Sequence, residues 1–207
     1  SDAASATFDA TAAVVKTEAA KETVIASISG FIAGTSEVVS EEGLDPQIVA
    51  DASFAGGAGA TQFAAASGAD PEATAEIVSD AASATFDATA AVVKTEAAKE
   101  TVIASISGFI AGTSEVVDEQ GLDAQIVADA SYAGGVGATQ LATLTGADVE
   151  ETNLLISDAS SATSAATTLT AEDETVAAAI SGFIAGTIEG AADNDLDVAG
   201  TTEAASS

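Results

Sequence analysis

The chain has 207 residues, of which 33 are acidic and only four basic, giving a formal charge of −29, yet 47% of its residues are apolar. Acidic disordered chains pair high charge with low hydrophobicity, so that class is excluded, and so large a negative field repels phosphate backbones, which excludes nucleic acid as a partner. With no cysteine and no histidine, a disulfide framework and thiol or imidazole chemistry are excluded as well.

Residues 1–39 and 79–117 are identical, so a 78-residue unit occurs twice, and a shortened third copy begins at Ser157. The organisation expected is residues 1–78, residues 79–156, and a truncated repeat over 157–207 with an acidic C-terminal tail. A first residue that is not methionine and falls at a repeat start reads as a processed chain or an excerpt of a longer one. Alanine dominates the apolar share, with valine and isoleucine behind it, which points to helices packed closely on small residues. An acid-rich, lysine-poor and arginine-free composition also fits a halophile, because molar salt shortens the Debye length to about 3 Å and removes most self-repulsion.

In chain order, helix-sized segments recur about every 26 residues. The first spans about Thr17 to Gly43, with Val24, Ile25, Ile28, Phe31, Ile32, Thr35, Val38 and Val39 forming a widened heptad seam. The second opens at Leu44-Asp45-Pro46, with Asp45 as N-cap, and stops at Gly68. The third opens with Asp70-Pro71 and runs through Ile77, Phe86 and Val93. The second unit repeats the plan with Asp123-Ala124 and Asp148-Val149. In the third copy a four-residue deletion, in the region matching Lys16 to Lys21, favours a turn there over one long kinked helix, with Thr170 as the start of the following helix.

The expected fold is therefore all-α: tandem three-helix repeats, about 26 residues per helix and 78 per unit, each unit one bundle laid end to end with the next. A β-solenoid lacks support, because no period-two alternation is sustained and alanine is a poor strand residue.

Residues 23–36 and 52–69 carry no charge at all. Either these small residues face water, or neighbouring copies cover them; a membrane span is disfavoured, needing about 20 strongly apolar residues. ISGFIAGT occurs three times and places Gly30 and Gly34, Gly108 and Gly112, and Gly182 and Gly186 four apart around Phe31, Phe109 and Phe183. Small residues at that spacing make a flat helix face for close backbone approach, within the fold or between molecules. Gly56 and Gly59, with Gly134 and Gly137, are the candidate packing glycines of the second helix.

Other motifs are weak. The glycine-rich stretch Phe54–Thr61 lacks the lysine of a phosphate loop. Asp193, Asp195 and Asp197 alternate as in a calcium loop, but Val198 stands where the loop glycine belongs. Lys21 sits in TEAAKE, where pairing three or four residues apart explains it.

No catalytic, cofactor-binding or metal site is expected, and no cofactor. The function expected is architectural: a filament, surface fibre or virion stalk that packs through uncharged helix faces, with itself as partner and a cell-surface or virion component as a further one. The location would be extracellular, at the cell surface or in a virion. The rival is a repeat-array adhesion module recognising a receptor or surface-layer component.

Overall fold

The computed structural model describes residues 18–93 and 96–207, together with Ala6, Thr7, Asp9 and Thr11. Among these the chain forms eight helices and no strand: α1 Glu18–Glu42, α2 Gln47–Ser67, α3 Pro71–Val92, α4 Glu96–Gln120, α5 Gln125–Thr145, α6 Val149–Thr170, α7 Asp173–Asp193 and α8 Val198–Ser206.

The helix ends follow from local chemistry. Asp70 and Asp148 accept the backbone N–H of Ala73 and Glu151 at 2.9 and 3.0 Å, and Pro71 opens α3 without losing a bond. Asp45 and Asp123 do the same for Gln47 and Gln125. At the far end of α1, Gly43 takes a φ of 63° and lets Leu44 N–H return to the Val39 carbonyl at 3.2 Å. Gly121 repeats this after α4. After α7 the same corner is made by Asp195, at a φ of 55°, where glycine would be unstrained.

Connections this short turn consecutive helices back on each other, so helices two apart run parallel. From α1 to α5, each packs more extensively on the second helix along than on its immediate neighbour. The arrangement is a helical-repeat packing, and it differs from separate three-helix bundles laid end to end. The α2–α4 and α5–α7 contacts are the most extensive, and residues 78 and 79 fall inside α3. One apolar core therefore runs through the array, from Val24 and Ile28 through Phe86, Ile106 and Phe109 to Leu155 and Phe183.

Small side chains dominate that core, and five buried threonines are satisfied within their own helices. Thr61, Thr85, Thr89, Thr139 and Thr187 each donate to the carbonyl four residues back, at 2.8 to 2.9 Å. Threonine can thus be buried here without an interhelical partner.

The expected turn in the third copy lies at Ala171–Glu172, with Ala171 extended at φ −140°. Thr170 ends α6 rather than starting α7, because its hydroxyl bonds back to the Ala166 carbonyl at 3.2 Å and Glu172 takes the N-cap position. The corresponding turns of the first two copies fall on residues 12–17 and 94–95, which lie outside the described residues.

Candidate helix-docking site

Gly108 and Gly112 stand about one turn apart on α4. A Cβ on Gly108 would overlap the carbonyl of Ala50, and one on Gly112 would overlap that of Phe54, both on α2. The contact is reciprocal. A Cβ on Gly57 would overlap the Phe109 carbonyl and sit 2.9 Å from Thr113 Oγ1. Two helix backbones therefore touch directly, with Cα–H groups against carbonyl oxygens.

The α5–α7 pair repeats this residue for residue. Gly182 meets the Ala128 carbonyl, Gly186 that of Tyr132, and Gly135 that of Phe183. Phe109 and Phe183 are fully buried beside these crossings. Gly56 and Gly134 leave room for side chains instead, those of Ile28 and Ile106 lying 3.3 and 3.4 Å from the missing Cβ. Gly137 makes space for the Phe86 ring, and Gly59 is buried within α2.

The first copy of the motif is different. Among the described residues nothing lies within 4 Å of a Cβ position on Gly30 or Gly34, and Phe31 is only partly buried. With Val38, Leu44 and Ile48 they line an uncharged open groove of about 440 Å³. Among the described residues, α1 packs on α2, α3 and, slightly, α4, and Ile48 of α2 borders the groove.

Polar groups tune the two covered crossings differently. Ser53 on α2 donates to Ser105 on α4 at 3.1 Å. In the α5–α7 pair the counterpart of Ser105 is Ala179, and the buried Ser131 hydroxyl is left without a partner. Tyr132 replaces Phe54, and its hydroxyl bonds to Glu189. Burial, that bond and the charges of Glu189 and Asp193 push the phenol up to about 12.

Lys21 reaches across to α3 and pairs with Glu76 and Asp80, both at 3.1 Å, where its sequence neighbours suggested a partner along its own helix. Burial lowers its pKa, but the hydrogen bonds to Asp80 and Glu76 outweigh this and hold it above its ordinary value. The second unit has Leu154 where Glu76 stands.

On α2 and α5 the glycines in direct contact with a facing backbone are Gly57 and Gly135, not the expected Gly56, Gly59, Gly134 and Gly137. A signal was present: Ser53, Gly57 and Thr61, and likewise Ser131, Gly135 and Thr139, put small residues four apart along one face, all buried. The stretch Phe54–Thr61 lies inside α2, with its amides engaged in the helix, so no phosphate cradle forms. Asp195 makes a corner and Asp197 caps α8 at Ala199, and among the described residues no group of three or more carboxylates could hold a metal ion.

Ala20–Glu42 and Asp173–Asp193 are long and apolar enough to cross a membrane by length and composition. Yet α4 shares residues 18–39 of α1 as 96–117 and uses them as a core helix. No protein-family model matches the chain, and no curated protein matches its sequence.

Proposed function

We propose that this is a non-enzymatic structural repeat protein that forms or extends a filament, surface fibre or virion stalk at high salt, with the three-helix, 78-residue segment as its unit of extension. One observation carries this reading. The backbone-to-backbone seat between α2 and α4 recurs between α5 and α7 at equivalent residues, so each added unit brings its own core and a ready contact to the preceding one.

Composition supports the high-salt part. A charge of −29 on a chain of this size repels like-charged copies at low ionic strength, and molar salt leaves a screening length of only about 3 Å. An extracellular, cell-surface or virion location follows from the architectural reading.

Light scattering and negative-stain electron microscopy across a salt series test it. Elongated regular particles in molar salt are the expected result, and compact monomers at every salt concentration would overturn it.

A second reading, a binding module, draws on one feature. Val149 and Leu154 stand exposed at the mouth of a cleft between α6 and α8, where the first unit has Pro71 and Glu76. Under that reading the compact monomer would capture a partner through this cleft.

A further inference from the structure

Three helices carry the ISGFIAGT face, α1, α4 and α7, and three begin at the Leu-Asp corner that follows such a helix, α2, α5 and α8. Within the chain α4 takes α2 and α7 takes α5. Among the described residues that leaves one of each kind: α1, with an open glycine face, and α8, which packs on α6 and α7. The corners agree in detail, since Leu44, Leu122 and Leu196 each return an N–H to the carbonyl five residues back, at 2.9 to 3.2 Å. In that register Thr202 and Ser206 of α8 hold the places of Ala50 and Phe54, whose carbonyls receive the glycines of α4. Thr202 is half-exposed and Ser206 exposed.

We propose that the bare α1 face of one molecule docks on α8 of a second copy of this chain, repeating between molecules the glycine-to-carbonyl half of the contact made twice within each. The proposal rests on the architectural reading above and names its interface. The identical octapeptide in α4 and α7 shows what this face holds: a parallel helix that offers two carbonyls one turn apart. The contact is heterologous, so nothing closes it, and copies add head to tail. Both surfaces are ringed by carboxylates, Glu37 and Glu41 near the groove and Asp197 and Glu203 on α8, so association rises with salt.

The test uses the 207-residue chain and two blocking variants. Gly34→Leu fills the groove without touching the fold, because space is open there, and Thr202→Trp blocks the α8 row. Sedimentation velocity in molar salt reads assembly, and circular dichroism melts confirm that both variants fold.

The expected result is that wild type assembles and each variant alone stays monomeric. An equimolar mixture should form dimers and stop, since the mixture holds one intact surface of each kind. Assembly of Thr202→Trp like wild type would overturn the proposal in favour of pairing between two α1 faces. If both variants assemble like wild type, the proposal falls while the fibre reading stands. A wild type that remains monomeric at all salt concentrations removes both.

Discussion

Helices α1 and α4 share an unbroken identical stretch, residues 18–39 and 96–117, and live in different surroundings. In α4, Gly108 and Gly112 lie against α2 and Val116 is 2% exposed; in α1, Gly30 and Gly34 meet nothing and Val38 is 45% exposed. The inner seams agree, with Val24, Ile28 and Ile32 buried as Val102, Ile106 and Ile110 are. One face of this sequence is thus always core, while the other is core only where a helix two places earlier covers it. Burial of that second face belongs to position in the array. Covering Val38, which is 45% exposed, would bury only part of a side chain whose complete burial is worth about 1.5–3 kcal/mol.

The same substitution on both helices breaks the comparison most sharply. Gly108→Leu or Gly112→Leu pushes a side chain into an α2 carbonyl and should cost about 3 kcal/mol or more, enough to abolish cooperative unfolding. Gly30→Leu should instead be neutral or stabilising by up to about 1 kcal/mol, because the space is open and leucine is the better helix former. Urea titrations in molar salt measure both, and equal losses would show that the two faces are equivalent after all.

Next in size are Gly57→Ala and Gly135→Ala, each expected to cost about 1–3 kcal/mol by the same assay, since the neighbour is backbone and cannot swing away.

Removing the ion pair separates the two units. Lys21→Met loses contacts to Glu76 and Asp80 and should destabilise by about 1 kcal/mol, the pair being buried at the lysine and open at both carboxylates. Lys99→Met, at the position equivalent to Lys21 in a unit that has Leu154 where Glu76 stands and keeps Asp158 where Asp80 stands, should change stability by under about 0.5 kcal/mol.

Tyr132 gives a spectroscopic handle on the α5–α7 crossing. Its folded pKa of about 12 lies above that of an unfolded tyrosine, so the stability it contributes is complete below about pH 10. That contribution is lost as pH rises towards the folded value. Ultraviolet titration should find the late phenol midpoint, and Tyr132→Phe, which restores the residue of the first unit, should remove the extra alkaline loss. A midpoint near 10 in the folded protein would place the ring in solvent.

A last comparison concerns the third corner. Asp195→Gly puts glycine where Gly43 and Gly121 already stand and should raise stability by about 0.5–1 kcal/mol in thermal unfolding.

Much of the local structure was legible. Asp70-Pro71, Gly43 and Gly68 marked helix ends because capping depends on a few consecutive residues and their allowed dihedrals. The seam of Val24, Ile28 and Ile32 was legible from its period. Thr170 misled because its hydroxyl can serve either end of a helix, and here it bonds back into α6. Lys21 invited pairing within its own helix, and only the approach of α3 supplied Glu76 and Asp80. Gly57 went unnoticed beside Gly56, since adjacent glycines differ only in the face that they present.

The expected 26 residues per helix became 21 to 25 in α1 to α7, and the expected acidic tail carries α8. From its residues alone the chain dictates helices and their corners, a repeat every 78 positions and a flat small-residue face on three of them. These are decided within one helix turn or one corner, by hydrogen bonds and sterics that do not depend on distant segments. Which helix lies on that face, that it is the second along rather than the next, and that the first face goes uncovered were decided only in three dimensions. Two identical stretches cannot encode their own different surroundings, and the order of neighbours along the array supplies the difference.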